Sequence, residues 1–104
     1  PDAILTLKNS ATVAVFETLQ KHGVKVPETL ALVGYDDFEM AAVLRPSISV
    51  IRQPIEAIGH AAAELLFERL LSQDSTKRGA PQQRRQIVLE TELVLRKSCG
   101  CQPA

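Results

Sequence analysis

Apolar and polar stretches alternate along this chain in a way that predicts a domain of mixed strands and helices. Leu30 to Gly34 is an uninterrupted apolar run, and Tyr35 separates it from two carboxylates, Asp36 and Asp37. Its length and the polar residues around it favour a strand covered on both faces, as in a parallel sheet, over one turn of a buried helix. Ligands of open α/β sheets lie beyond the carboxyl ends of the strands, so both carboxylates are candidates for ligand binding.

The residues before this run predict a strand followed by a helix. Ala3 to Leu7 is a short apolar run, and the segment after it has apolar residues at helical spacing. Asn9 or Ser10 is expected to cap the helix, because both side chains accept hydrogen bonds from free first-turn amides. His22-Gly23 is expected to end it, since glycine tolerates the left-handed conformation after a last turn. With the Leu30 strand, these elements have the size of a βαβ unit.

A short helix and a third strand are predicted after the carboxylates. Phe38 to Leu44 is expected to be helical, with Asp37 as its N-cap and Arg45-Pro46 as its stop. Ser47 to Arg52 alternates between polar and β-branched residues, which is typical of a strand. The carboxyl end of this strand leads directly into the longest helical pattern of the chain.

The longest helix is predicted from Pro54, at the first helical position, to about Ser72. Its expected buried stripe consists of Ile55, Ile58, Ala62, Leu65, Leu66, Arg69 and Leu70. Residues 72 to 86 are polar and contain Gly79 and Pro81, which indicates a loop. Ile87 to Leu95 is predicted to be a final extended segment.

Composition limits the classes of function. The chain has 104 residues, enough for one domain, and its 12 basic residues equal its 12 acidic ones, so the overall positive charge typical of nucleic-acid binding is missing. No apolar run reaches the roughly 18 residues needed to cross a bilayer, and no signal peptide is visible. The chain starts without an initiator Met, so we expect it to be the tail of a longer protein. Cys99 and Cys101 are expected to be reduced thiols.

A catalytic function has little support in the sequence. The two histidines, His22 and His60, belong to no Ser-His-Asp set and to no cluster with metal-ligand spacing, and no glycine-rich phosphate loop is present. Asp36 and Asp37 lack a second polar group placed to complete acid–base chemistry. We therefore predict a protein that is not an enzyme and needs no cofactor or metal.

Six segments carry a resemblance to a known family. They are Pro1-Asp2-Ala3-Ile4, Val26-Pro27-Glu28, Val33-Gly34-Tyr35-Asp36-Asp37, the run from Arg45 to Pro54, the set Gly59, Ala62 and Leu65, and Leu93-Val94-Leu95-Arg96-Lys97-Ser98. In this order and spacing they resemble the C-terminal part of LacI/GalR-type bacterial transcription regulators. The resemblance implies an α/β fold, with a Rossmann-like parallel sheet and flanking helices, that forms part of a two-lobe periplasmic-binding-protein-like domain.

The resemblance also implies a division of the chain. Residues 1–53 would belong to the C-terminal lobe, 54–72 to a helix crossing to the N-terminal lobe, 73–86 to a flexible loop, 87–98 to a strand returning to the C-terminal lobe, and 99–104 to a tail. The implied function is to sense a sugar or sugar derivative in the cytoplasm and so control operator DNA binding by an N-terminal helix-turn-helix that this chain lacks. A homodimer is the expected assembly. The C-terminal lobe of a periplasmic sugar-binding transport protein is the alternative, and a dimerisation module is a third possibility.

The family's effector-binding positions fall on five residues of this chain. Asp36 matches the carboxylate that contacts the effector, Gln53 or Ile55 matches the hinge-side contact, and Lys8-Asn9 takes the place of an Asn-Asp pair. Asp36 has the alternative role of capping the short helix, and Gln53 that of holding the hinge backbone. The cation at Lys8 favours an acidic effector, such as a sugar acid or a sugar phosphate. Alternatively, Lys8 points to solvent or pairs with Asp36 or Asp37.

The family's dimer surface matches Val13, Met40 and Leu44. The alternative for these residues is ordinary packing within the lobe. If the 104 residues were the entire protein, the apolar face of the long helix would lie uncovered, and we would expect tight self-association, with exchange of that helix as one route.

Overall fold

The computed structural model describes residues 2–72 and 85–101 and contains a four-stranded sheet and two α-helices. The elements are β1 (Ala3–Leu5), α1 (Asn9–Lys21), β2 (Ala31–Tyr35), a 3-10 turn (Glu39–Ala42), β3 (Ser49–Arg52), α2 (Ile55–Ser72) and β4 (Glu92–Val94). Residues 73–84, which form most of the predicted loop, and residues 102–104 of the predicted tail lie outside the described residues.

The sheet is mostly parallel, which confirms the predicted fold class. Its strands lie in the order β1-β2-β3-β4, with β1, β2 and β3 parallel to their neighbours. Val33 is the register partner of Ser49 across the β2–β3 pair. The last strand differs from its neighbours because β4 runs antiparallel to β3 and is only 3 residues long.

The β2 strand lies within the sheet and confirms the strand predicted from the Leu30 run. Leu32 and Gly34 on this strand are buried. A Cβ atom at Gly34 would lie 2.7 Å from the Thr12 Oγ1 atom, so the missing side chain allows α1 to approach the strand closely. The buried apolar core consists of Phe16, Leu32, Ala41, Ile48 and Val50.

The start of α1 differs from the prediction. Lys8 occupies the N-cap position without a side-chain capping bond, and Asn9 already lies inside the helix, so the expected cap at Asn9 or Ser10 is wrong. The Lys8 carbonyl accepts hydrogen bonds from both the backbone amide and the hydroxyl of Thr12, each at 3.0 Å. The predicted end is confirmed, because α1 stops at Lys21 and Gly23 has a φ of 67°.

The short helix after β2 is a single 3-10 turn that begins at Glu39, later than predicted. Phe38 is its N-cap, so the expected N-cap at Asp37 is wrong by one residue. Asp37 still accepts a hydrogen bond from the Phe38 amide at 2.9 Å. The Asp37 carboxylate also accepts hydrogen bonds from Arg52 and Arg96, and these contacts hold Asp37 outside the turn.

The chain divides into two compact units. The first comprises Pro1–Gln53 and Thr91–Ala104 and holds the sheet and α1. The second, Pro54–Glu90, holds α2. Within it, Arg85 donates to the Glu68 carboxylate at 2.5 and 2.6 Å, which joins residue 85 to the helix.

The predicted buried stripe of α2 is largely exposed. Ile55 is 73% exposed and Leu66 is 56% exposed, and Ile58 and Leu70 are exposed as well, whereas Leu65 is half-buried. Periodicity identifies which face of a helix can be buried, but burial also needs an opposing surface, which the described residues do not supply at these positions. Ala62 and Arg69 are exposed as well, so six of the seven predicted stripe residues are uncovered among the described residues, as expected for this apolar face if the 104 residues are taken alone. In the ranges described, no helix has the length and apolar character to cross a membrane.

Candidate functional site

Polar side chains follow the carboxyl ends of the three parallel strands. Lys8 and Asn9 come after β1, Asp36 directly follows β2, and Gln53 directly follows β3. Because parallel strands end at the same edge of a sheet, these residues share one edge of the first unit. Since β2 lies between β1 and β3, Asp36 occupies the middle of this edge.

Asp36 is held in an unusual conformation. Its φ of 76° lies in the left-handed region, which few residues other than glycine adopt. Its backbone amide continues the ladder between β2 and β3 by donating to the Ile51 carbonyl at 2.9 Å. The Gln53 Nε2 atom donates to the Asp36 Oδ1 atom, while Oδ2 accepts from none of the described residues. The half-buried carboxylate therefore has acceptor capacity to spare.

Asp37, by contrast, is surrounded by donors. Arg96 donates to both carboxylate oxygens, at 2.9 and 3.1 Å, and also to the Ile48 carbonyl at 2.9 Å. Arg52 donates to Oδ2 through Nε at 3.0 Å and Nη2 at 2.8 Å, and the Phe38 amide donates to Oδ1. The hydrogen bonds from Arg96, opposed by burial and assisted by Arg52, lower the pKa of Asp37 from 3.8 to about 2.

The two neighbouring carboxylates thus have different environments. Asp37 accepts five hydrogen bonds from within the chain, which leaves little capacity for an external ligand. Among the described residues, Asp36 makes no hydrogen bond to the 3-10 turn, and the amide of its N-cap residue Phe38 donates to Asp37 instead. The helix-capping alternative for Asp36 is therefore wrong, and Asp36 is the better candidate for binding a ligand.

The remaining predicted site residues lie in different surroundings. Lys8 and Asn9 are exposed, and across residues 2–72 and 85–101 Lys8 forms no ion pair with Asp36 or Asp37. The alternative in which Lys8 pairs with these carboxylates is therefore wrong. Gln53 does contact Asp36, as described above. Ile55 belongs to the second unit, where it is exposed.

The predicted dimer residues divide into two groups. Val13 is 41% exposed and Met40 is 56% exposed, so both side chains are accessible on the first unit. Leu44 is half-buried and packs against the core, as the lobe-packing alternative expects.

The amino-acid pattern alone did not indicate the roles of Arg52, Arg96 and Ser98. Asp37 is only partly exposed, and a carboxylate in that position beside another carboxylate needs a compensating cation. Arg52 ends the third predicted strand, and Arg96 directly follows the final extended segment. Two cations at strand ends were therefore a usable sequence signal for the partners of Asp37. The serine gave no comparable signal, because its partners lie far away in sequence.

Two other features of the first unit do not join this site. A groove of about 300 Å³ lies between β1 and α1, with Ile4, Ala14, Val15, Thr18 and Leu19 around it, and none of the predicted site residues lines it. Cys99 and Cys101 are free thiols, as expected. The described ranges contain no group of three or more His, Cys, Asp or Glu residues that could hold a metal ion.

The fold and the site together define a ligand-binding α/β domain, with an available carboxylate at the end of an inner parallel strand. Comparison with known proteins agrees. The family model of the periplasmic binding protein-like domain matches residues 1–99. The ribose operon repressor of Haemophilus influenzae is 33% identical over 98 residues, which are 94% of this chain but 27% of that protein. The lactose operon repressor of Rhizobium radiobacter is also 33% identical, over 94% of this chain and 80% of that protein.

Solved structures show the same relationship. The transcriptional regulator CelR in complex with cellobiose has a TM-score of 0.79 and 32% identity over 93% of this chain and 28% of its own. A LacI family regulator from Lactobacillus casei with bound sucrose has a TM-score of 0.73 and 30% identity over 94% of this chain and 33% of its own. The chain therefore belongs to the LacI/GalR family of bacterial transcription regulators, and it corresponds to the C-terminal part of their periplasmic-binding-protein-like effector domain.

Proposed function

We propose that this chain is the effector-sensing part of a transcription regulator whose ligand is a sugar or a sugar derivative. The observation that carries the proposal is the Asp36 carboxylate, which accepts from Gln53 on one oxygen and from none of the described residues on the other. Solved relatives bind sucrose and cellobiose, which supports a sugar as the effector. The curated relatives are repressors, which favours a regulator over a transport-binding protein.

Asp36 suits recognition of a sugar for a chemical reason. Sugar hydroxyls are hydrogen-bond donors, and an ionised carboxylate accepts such bonds more strongly than a neutral group does. The Gln53 amide occupies part of Oδ1 and orients the group, so Oδ2 and the remaining lone pair of Oδ1 can meet two hydroxyls. The same edge of the sheet carries Lys8 and Asn9, which extend the polar surface offered to the ligand.

Lys8 supports a more specific proposal, that the effector carries a negative charge. Its side chain is exposed and forms no ion pair with Asp36 or Asp37 among the described residues, so its ammonium group is available to an anion. A lysine meets a carboxylate or a phosphate as a point charge. Gluconate and glucose 6-phosphate, compared with glucose, test this idea. Binding of glucose alone would contradict an acidic effector and leave the sugar-binding proposal intact.

Replacing Asp36 is expected to abolish most of the sugar affinity. In the whole protein, isothermal titration with ribose, glucose, sucrose, cellobiose and the two acidic sugars should identify a ligand. For that ligand, Asp36→Ala should weaken binding about 10- to 100-fold, because hydrogen bonds to a charged group contribute roughly 1.5 to 3 kcal/mol. The Asp2→Ala variant removes an exposed carboxylate near the start of β1 and is the matched control. Equal affinity of the Asp36 variant and wild type would contradict the proposed site.

For the whole protein, we propose that effector binding changes the affinity for operator DNA. DNA binding would use a helix-turn-helix headpiece that this sequence does not include, and the setting would be the cytoplasm. The chain spans 27% of the ribose operon repressor, so DNA binding and its control are proposals for the whole protein. A gel-shift titration of operator fragments with and without the bound sugar tests the coupling.

We also propose that the whole protein is a homodimer that uses Val13 and Met40, the two predicted interface residues that are exposed. The exposed Met40 side chain offers a flexible apolar contact at such a surface. Met40→Glu is expected to raise the dimer dissociation constant at least about tenfold, because a carboxylate would lose its hydration in the interface. Sedimentation equilibrium measures this change, with Thr29→Glu in the exposed turn before β2 as the control. An unchanged dissociation constant in the Met40 variant would place the interface elsewhere.

A further inference from the structure

The Asp36 conformation needs an explanation, because a positive φ is uncommon even for aspartate, which adopts it more readily than most L-residues, and it is kept where the surroundings favour it. On one side, the Asp36 amide is bound to the Ile51 carbonyl of β3. On the other side, the next residue is Asp37, whose carboxylate is held by Arg96 and Arg52. Asp36 therefore lies between two fixed points, and its φ of 76° is the conformation that joins them.

Arg96 is the more restrictive of the two arginines. Its guanidinium contacts both oxygens of Asp37 and also the Ile48 carbonyl, whereas Arg52 contacts only the Oδ2 atom of Asp37 and pairs at 3.7 Å with the exposed Glu92 carboxylate. Its backbone amide donates to the Ser49 hydroxyl at 2.8 Å, so Arg96 is tied to the third strand region at both ends. The side chain of Arg96 is 14% exposed and that of Arg52 is 45% exposed, so solvent competes less with the Arg96 contacts.

We propose that Arg96 is a positioning residue for effector recognition: by holding Asp37, it keeps the Asp36 backbone in the left-handed conformation that sets the place of the Asp36 carboxylate. This inference rests on the proposed function, because the positioning role serves the recognition of the effector. Releasing Asp37 would let Asp36 relax to a negative φ and turn its side chain away from Gln53. Arg96 and Arg52 also compensate the charge of Asp37, so that Asp36 does not lie beside an unpaired negative charge.

The test compares three variants of the whole protein. Arg96→Met removes the guanidinium and keeps much of the side-chain length, and Arg96→Lys keeps the charge but cannot donate to both Asp37 oxygens and the Ile48 carbonyl together. Phe16→Leu weakens the apolar core without touching the site and serves as the control for lost stability. If Arg96→Met does not fold, Asp37→Asn replaces it, because the amide keeps the acceptor for Phe38 and loses the ionic contacts.

Two measurements are made on each folded variant. Backbone NMR shifts of Asp36 report its φ without any ligand, and they are expected to lose their left-handed signature in Arg96→Met, or in Asp37→Asn, and to keep it in Phe16→Leu. Titration with glucose, sucrose and cellobiose is expected to show affinity at least about tenfold weaker in Arg96→Met, a smaller loss in Arg96→Lys, and wild-type affinity in Phe16→Leu.

The outcomes separate this inference from the proposed function. If the chemical shifts of Asp36 still indicate a left-handed backbone in the Arg96→Met or Asp37→Asn variant, the positioning role is overturned, whatever the sugar titration shows. Unchanged sugar affinity in the Arg96 variants would overturn it as well. If wild type binds none of the sugars, the proposed ligand class is wrong, and the NMR shifts of Asp36 alone decide whether Arg96 sets its conformation.

Discussion

Ser98→Ala is expected to lower the free energy of unfolding by about 3 kcal/mol, a large effect for the loss of one hydroxyl group. The side chain is fully buried, and its hydroxyl bridges β2 and β3 next to their first register pair, Val33 and Ser49. The Ser49 amide donates to the Ser98 Oγ atom at 2.8 Å, and the same hydroxyl donates to the Leu32 carbonyl. Removing it leaves a buried donor and a buried acceptor without partners.

The backbone of Ser98 is also held by hydrogen bonds in this region. The Leu32 amide donates to the Ser98 carbonyl at 2.9 Å, and the Ser98 amide donates to the Ser47 carbonyl at 2.9 Å. The β2–β3 register begins only at Val33 and Ser49, so Ser98 occupies the place of a strand residue just before the two strands pair. Water has little access to this position, which raises the cost of each unmade bond.

Chemical denaturation of the whole protein measures the Ser98 effect. Ser47→Ala is the matched control, because Ser47 bonds through its backbone carbonyl and its hydroxyl has no partner among the described residues. It is expected to change the unfolding free energy by less than about 0.5 kcal/mol. A Ser98 variant as stable as the Ser47 variant would show that the buried bridge does not stabilise the fold.

Local patterns predicted the elements of the first unit because each pattern has a local cause. The apolar run at Leu30 became β2 and the glycine after His22 ended α1, since strand burial and left-handed glycine are both visible in a few consecutive residues. The N-cap residues were harder to predict from local patterns. Placing the start of a helix one residue off moves the cap from Asn9 to Lys8, or from Asp37 to Phe38.

The interactions that distinguish Asp36 from Asp37 are not local. Arg52 lies 15 residues from Asp37 along the chain and Arg96 lies 59 residues away, so no periodicity connects them. Position at the end of β2 predicted that both carboxylates would stand at the rim of the sheet, and the fold confirms that placement. Only the contacts in the folded structure show which of the two carboxylates is already bound by arginine side chains. What covers α2 could not be predicted for a related reason, since a stripe such as Ile55 and Leu66 indicates a face without identifying the surface that packs on it.

The Asp37 contacts should also make the stability of the protein depend on pH. The pKa of Asp37 falls from 3.8 to about 2 in the folded state, chiefly because of the hydrogen bonds from Arg96. A group with a depressed folded pKa stabilises the fold when it is ionised in both states, so its contribution is complete above pH 3.8 and is lost as the pH falls toward 2. The size of this shift corresponds to about 2 kcal/mol of stability at neutral pH.

Urea denaturation from pH 6 down to pH 2 can isolate this contribution. Asp37→Asn should be about 2 kcal/mol less stable than wild type at pH 6, and the difference should shrink as the pH falls, because protonation makes wild-type Asp37 resemble the amide. Asp2→Asn, which removes a carboxylate at an exposed position, is the control and should follow wild type throughout. A constant gap between wild type and Asp37→Asn across this range would mean that the variant loses packing or hydrogen bonding, and that the two arginines do not stabilise the ionised form of Asp37.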